Sequence, residues 1–344
     1  MKCTNVDIRM IKIGNKIIGP GQPVFIIAEA GVNHFGQLDR AKRLADIAAV
    51  AGADAFKIQV YDTERMISEA SPEWKARMKP KELAWTQIEE LAAYCKKLGI
   101  LFMASAHDLE SLDRLISLGV TSLKIGSGEL GNVFYLERAA RIGLPVILST
   151  GMYTIEDVEE TVSIFLHAGN KNLILLHCVS LYPAYPEEIN LRAMDILRER
   201  FGFPVGYSDH TEGYDIVLAA VARGAMVIEK HIALEKVYPG TWDPIVSCTK
   251  ENFKEMVSSI RRIEVALGNK EKRPVEREWE SRKWATKSIV SKIDIPAGIL
   301  ITRDMLDFKR PGTGISPKDI SQIVNRKSKI AIKKDMIIQK EWLE

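Results

Sequence analysis

The sequence predicts an α/β fold, a (β/α)8 TIM barrel with an N-terminal β-hairpin ahead of it and a small β-rich domain behind it. Three observations lead there. Short β-rich runs alternate with longer helical ones from residue 24 to residue 268, eight such units fill that span, and beyond residue 284 the alternation gives way to short runs broken by Pro and Gly. Roughly 250 residues is the usual size of a closed eight-stranded barrel. An open doubly wound sheet usually has fewer strands and a glycine-rich first turn, and no GxGxxG follows the first strand candidate.

Taken in order, Ile8–Ile18 (IRMIKIGNKII) reads as a hairpin, because two alternating runs meet at the turn dipeptide Gly14-Asn15. It is placed to cap the barrel floor. The strand candidates are Val24–Ala28, Ala55–Gln59, Ile100–Ser105, Ser122–Ile125, Pro145–Ser149, Leu173–His177, Pro204–Ser208 and Met226–Lys230. They are apolar at nearly every position, as expected for parallel strands covered on both faces. Helical period follows in Leu38–Ala51, Leu83–Lys97, Asp157–Ala168 and Asn252–Leu267, with glycine stops at Gly52, Gly99, Gly119 and Gly143. Residues 1–268 are thus assigned to the barrel, with 1–23 as its leading hairpin segment. Residues 269–284 (NKEKRPVEREWESRKW) are dense in charge and read as an exposed connector, and residues 285–344 read as the second domain.

Composition removes several classes of function. The 344 residues are 46% apolar and 27% charged, with 48 basic and 45 acidic side chains giving a net charge of +3. Such a balance argues against disorder, coiled coil and nucleic-acid binding, which needs a one-signed basic surface. No apolar run approaches the roughly 18–20 residues of a membrane span, and the first residues lack the apolar core of a signal peptide, so a cytoplasmic location is expected. Cys3, Cys95, Cys178 and Cys248 are scattered without a CxxC pair and read as small apolar fillers.

In this fold, chemistry sits at the C-terminal ends of the strands. Those ends carry Glu29, Lys57, Gln59, Ser105, Lys124, Ser127, Glu129, Ser149, His177, Ser208, His210, Glu229 and His231. Because side chains alternate along a strand, Lys57 shares a face with Gln59, Ser208 with His210, and Glu229 with His231. Lysine is the sharpest clue: Lys57 and Lys124 lie in otherwise apolar strands, where an ammonium must meet a negative charge. One partner is an internal carboxylate from Glu29, Glu129 or Asp54. The other is an anionic substrate, a phosphate or carboxylate, with the hydroxyls of Ser105, Ser127, Ser149 and Ser208 as further donors. His210 and His231 come from neighbouring strands and read either as two ligands for one divalent ion or as two hydrogen-bonded core histidines. His34, His107, His167 and His177 are read as core histidines, His34 lying in the loop after the first strand.

The segments FIIAEAGVNHFG, GADAFKIQ, LKIGSGEL, PVILSTGM, HCVSLYP, NLRAM, VGYSDHTEG and IEKHIAL, in this order, resemble the sialic acid synthase family, and KRPGTGISP resembles its C-terminal antifreeze-like (SAF) domain. The resemblance spans nearly the whole chain. It implies a metal-dependent condensation of phosphoenolpyruvate with an N-acetylmannosamine-type sugar, giving a sialic acid and phosphate. It places Lys57, Ser105, Lys124, Ser127, Ser149 and Ser208 on phosphoenolpyruvate, and His210 and His231 on Mn2+, with Mg2+ or Co2+ as alternatives. Glu29 would orient or deprotonate water. Gln59, Glu129, Tyr182 and Asp243 would face the sugar, and Arg310 would reach its N-acyl group from a partner subunit, which implies a domain-swapped homodimer. The chain departs from the family pattern at Ser105, where threonine is frequent, at Phe35 and Ser180, where asparagine is found, and in the turn Pro239–Pro244, which has one extra residue. Two rival readings are a Schiff-base aldolase with Lys124 as nucleophile and a non-catalytic carbohydrate-binding protein.

Overall fold

In the computed structural model, residues 8–237, 241–269 and 271–344 are described, so Cys3 and the turn residues Pro239 and Gly240 lie outside them. The chain divides into two compact units, Met1–Gly268 and Asn269–Glu344.

The first unit opens with the hairpin, β1 (Ile11–Ile13) and β2 (Lys16–Ile18), paired antiparallel with Ile13 opposite Lys16. The barrel strands follow: β3 (Phe25–Gly31), β4 (Ala55–Val60), β5 (Leu101–Ala106), β6 (Leu123–Ile125), β7 (Val146–Ser149), β8 (Leu173–Cys178), β9 (Val205–Asp209) and β10 (Val227–His231). They form one parallel sheet in the order β5-β4-β3-β10-β9-β8-β7-β6. β10 pairs with β3, so the chain's last barrel strand returns to its first, and β5 and β6 lie side by side at the seam. The main covering helices are α1 (Leu38–Ala51), α2 (Trp85–Leu98), α3 (Leu109–Leu118), α4 (Val133–Arg141), α5 (Ile155–His167), α6 (Ala193–Phe201), α7 (Asp215–Ala222) and α8 (Lys250–Leu267). Four of them stop where Gly52, Gly99, Gly119 and Gly202 enter the left-handed region, the conformation a side chain resists.

Alternation along the strands divides the apolar residues into two bodies. Outward residues such as Ile26, Phe56, Ile58, Leu148 and Ile228 pack with the helices. Inward residues near the strand starts, Phe25, Ile27, Ala55, Met103, Ile147, Ile174 and Val227, pack with Ile11, Ile13 and Ile18 of the hairpin, which therefore plugs the barrel floor. Each of these isoleucines is essentially fully buried, worth about 1.5–3 kcal/mol of apolar burial apiece. Higher on the same inward rows the side chains turn polar: Phe25 and Ile27 lead to Glu29, Ala55 to Lys57, Met103 to Ser105, and Val227 to Glu229. The floor is filled and the upper barrel is chemical.

The second unit holds α9 (Glu276–Ala285), none of whose side chains is buried, where the sequence reads as a connector. It is tied to its own unit by the amide of Gly312 donating to the Lys283 carbonyl at 2.7 Å and by Arg310 Nε donating to the Ala285 carbonyl at 2.8 Å. Strands β11 (Ser288–Ser291) and β12 (Leu306–Lys309) pair antiparallel, and Ile289, Ile295, Ile301, Ile323, Ile332 and Ile338 fill a small core of their own. No helix among the described residues is long and apolar enough to cross a membrane.

Candidate active site

The upper barrel encloses a cavity of about 220 Å³ lined by Glu29, Lys57, Gln59, Ser105, His107, Lys124, Ser127, Ser149, Cys178, Tyr182, Ser208, His210, Glu229 and His231. The paired faces expected from alternation are therefore inward ones. Lys57 Nζ lies 2.7 Å from Glu29 Oε2 and 3.5 Å from Glu229 Oε2, and it donates to Ser105 Oγ at 3.2 Å. Lys124 Nζ donates to Ser149 Oγ at 2.7 Å and to the Ile125 carbonyl at 3.2 Å, and it stands 3.6 Å from Glu229 Oε1. Glu229 also accepts from Ser208 Oγ at 2.9 Å.

Internal pairing of Lys57 with Glu29 is thus present, whereas Asp54 pairs instead with Lys16 and Arg261, and Glu129 accepts from Asn132 Nδ2 at 2.7 Å. The residue that joins the two lysines is Glu229. Its strand-end position was readable, but which cations it meets depends on β4 lying one strand from β10, beyond β3, and on β6 lying opposite it. Cys178 was read as filler, yet its side chain forms part of the cavity wall beside His210, 3.7 Å from Nδ1.

Burial raises the ionisation of Glu29 to about 7 although Lys57 pulls it down. Glu229 is also fully buried, but Lys124 and Lys57 together outweigh that and hold it below the usual carboxylate range. Desolvation alone would lower Lys57, yet Glu229 and Glu29 raise it; Lys124, desolvated and facing Lys57, is lowered. Two carboxyls pushed apart in this way divide naturally into a fixed anion and a proton acceptor.

Burial lowers His210 to about 4 and, with His210 and Lys57 nearby, lowers His231 well below its ordinary value, so both imidazoles are neutral, the ligand form for a metal. Their ring centroids are 5.4 Å apart. His210 Nδ1 lies 2.7 Å from the Val179 carbonyl, and its Nε2 meets Tyr182 Oη at 2.9 Å. His231 Nδ1 and Glu29 Oε1 are buried without a hydrogen-bond partner among the described residues. Unpartnered buried donors of this kind fit a divalent ion. No cluster of three or more His, Cys, Asp or Glu side chains among the described residues is arranged to hold one.

Asp243 belongs to the same constellation by way of Gly31. A β-carbon on Gly31 would come within 3.2 Å of the His231 ring, 3.3 Å of Asp243 Oδ2 and 3.4 Å of Glu29 Oε1, and its φ of +55° itself disfavours a side chain. A network missed from sequence holds that loop: Asn33 Nδ2 donates to Ser247 Oγ at 3.1 Å, and Ser247 Oγ donates to the Asp243 carbonyl at 2.6 Å.

Glu129 lies at the outer rim of the cavity, with His107 Nδ1 3.6 Å from its Oε1. His107 is therefore a wall residue of the site and not a core histidine, because strand β5 ends one residue before it. His34 is fully buried as read, and its Nδ1 accepts from the Gly36 amide at 3.2 Å. Arg310 lies in the second unit.

Comparison with known proteins now bears on this geometry. Residues 44–272 match the NeuB family. The chain belongs to that family. Residues 286–344 match the SAF domain. The chain is 41% identical over 328 residues to an N,N'-diacetyllegionaminic acid synthase of Legionella pneumophila, covering 90% of this chain and 92% of that one. It is 35% identical over 341 residues to the human N-acetylneuraminate-9-phosphate synthase, covering 95% and 94%. Among solved structures, an N-acetylneuraminic acid synthetase of Leptospira borgpetersenii in complex with citrate superposes with a TM-score of 0.75 at 40% identity, over 79% of this chain and 95% of that one.

Proposed function

We propose that the protein condenses phosphoenolpyruvate with the aldehyde of an N-acyl mannosamine-type sugar, forming a nonulosonic acid and releasing phosphate. The observation that carries this reading is the pair of buried ammonium groups, Lys57 and Lys124, set among serine hydroxyls in the cavity of the upper barrel next to two neutral imidazoles. Lys57 and Lys124 hold the phosphate and carboxylate, with Ser105, Ser127, Ser149 and Ser208 donating to the remaining oxygens. His210 and His231 would hold a divalent ion, Mn2+ or else Mg2+ or Co2+, whose Lewis acidity would act on the aldehyde oxygen.

The methylene carbon of phosphoenolpyruvate bonds to the aldehyde carbon, the aldehyde oxygen takes up a proton from solvent, and positive charge is left on the carbon that bears the phosphate. Water then adds at the carbon bearing the phosphate, and Glu29, ionising near 7, takes the proton that water loses. The tetrahedral intermediate expels phosphate by breaking its C–O bond. Gln59, Glu129, Tyr182 and Asp243 orient the sugar, and Arg310 from the second unit of another copy meets the N-acyl group, which requires a domain-swapped homodimer.

Phosphate release from phosphoenolpyruvate, with Mn2+ and a panel of acylated mannosamines, tests class and acceptor together. Lys124→Ala is expected to abolish phosphoenolpyruvate binding in calorimetry, and undiminished affinity in that variant would remove the assignment. The lowered ionisation of Lys124 also favours a Schiff-base aldolase as a second reading. Borohydride trapping of a lysine adduct with activity that survives chelation would select it.

A further inference from the structure

We propose that Tyr182 is a latch on the metal-free site: its hydroxyl donates to the nitrogen of His210 that is able to hold a divalent ion, so that ion and phenol compete for one lone pair. This rests on the reading above, in which His210 and His231 hold the ion, and goes on to say what controls access to it. The tautomer of His210 follows from its neighbours. Nδ1 lies 2.7 Å from the Val179 carbonyl, which can only accept, so the proton of the neutral ring sits on Nδ1. A backbone carbonyl that engages one ring N–H in this way leaves the other nitrogen to face a metal. That nitrogen, Nε2, carries a lone pair and no proton, and Tyr182 Oη stands 2.9 Å from it. Since Nε2 can only accept, the phenol is the donor.

The segment that carries the phenol is built around His210. Its Val179 carbonyl and Tyr182 hydroxyl take the two ring nitrogens, and its Ala184 amide donates to the His210 carbonyl at 3.0 Å. The phenol ring also lies against the imidazole, with centroids 4.1 Å apart. His231 Nδ1, in contrast, is buried with no hydrogen-bond partner among the described residues. A lone pair serves one partner at a time, so an ion arriving at Nε2 must displace the phenol. That displacement costs the same whichever ion arrives, because the hydrogen bond exists only in the metal-free protein. The apparent affinity for every ion is therefore reduced by the fraction of molecules in which Nε2 is bare. A hydrogen bond between neutral groups makes that reduction roughly 3- to 10-fold. The same event releases the hydroxyl that the condensation reading gives to the sugar.

Calorimetric titration of the full chain, stripped of metal by chelation, with Mn2+ and then separately with Co2+ reads the latch without any turnover. Tyr182→Phe keeps the ring against His210 and removes only the hydroxyl. It is expected to tighten Mn2+ at least threefold and to tighten Co2+ by the same factor to within twofold. Unchanged affinity overturns the proposal. Weaker binding also overturns it, being the result expected if the hydroxyl were itself a ligand of the ion. A gain that differs between the two ions by more than twofold overturns it as well, since it places the effect in the metal-bound protein. Damage to the fold loosens a site and does not tighten it, and Tyr182→Leu, which lacks both ring and hydroxyl, is expected to tighten both ions too; a loss in both variants refutes the latch. His210→Ala is expected to remove Mn2+ binding. Binding that persists there refutes the assignment of the ion to His210, an outcome separate from a failed latch on a site that His210 does build.

Discussion

Replacing Lys230 by methionine should destabilise the barrel by about 3–5 kcal/mol, the usual cost of stranding one half of a buried ion pair. Lys230 lies on β10 between Glu229 and His231 and so faces outward from the barrel, toward the helices. Its Nζ is 2.5 Å from Asp209 Oδ2 and donates to the Thr211 carbonyl at 2.6 Å, and both side chains of the pair are wholly removed from solvent. Asp209 accepts as well from Tyr207 Oη at 2.8 Å and from Thr211 Oγ1 at 2.9 Å. Methionine preserves most of the stem's volume, so packing contributes under about 1.5 kcal/mol of the loss. The remainder is the carboxylate left without its ammonium. Changing Asp209 to asparagine in the same chain keeps an acceptor for Tyr207 and Thr211 while deleting the stranded charge, and is expected to recover at least half of the loss. Urea unfolding followed by circular dichroism reads both differences. A Lys230→Met variant costing under about 1 kcal/mol, or a double variant no more stable than the single one, would refute the assignment of the energy to charge. The pair ties β9 to β10 immediately behind His210 and His231, so its loss should also loosen the two imidazoles.

Three further outcomes follow from the site and its surroundings. His231→Ala should abolish the stimulation of phosphate release by added Mn2+, and retained stimulation together with unchanged Mn2+ binding would place the ion elsewhere. Arg310→Ala should lower kcat/KM for the sugar by 10-fold or more without altering phosphoenolpyruvate affinity, and a fully active barrel ending at Gly268 would remove the swapped arrangement. His34, held by burial at about 4 against an ordinary 6.5, stays neutral when the unfolded chain takes a proton. Its contribution is therefore neutral above 6.5 and falls away as pH drops toward 4, by about 3 kcal/mol at 1.36 kcal/mol per unit. Stability of wild type and His34→Asn should differ in that slope, and parallel profiles between pH 7 and 4 would contradict it.

Much of the barrel is legible because local order and local pattern coincide there. Leu38–Ala51 is a helix over the span its period indicates, and each of the eight strand candidates lies within two residues of the strand observed, apart from extensions at its C-terminal end. Period two along a strand also determines which side chains share a face, so Lys57 with Gln59 and Glu229 with His231 were readable as pairs. The second unit's charge-dense start was less legible: residues 276–285 form a helix whose exposure leaves no apolar stripe to betray it.

What sequence alone could determine was the inventory of inward polar groups, since alternation is a property of the chain by itself. Who meets whom was decided only by closure of the sheet. Glu229 reaches both lysines because β10 returns beside β3, one strand from β4, and stands opposite β6; Asp243 approaches Glu29 because Gly31 offers no side chain to keep them apart. Each of those contacts joins residues more than 100 positions apart, and no local period encodes a distance of that kind.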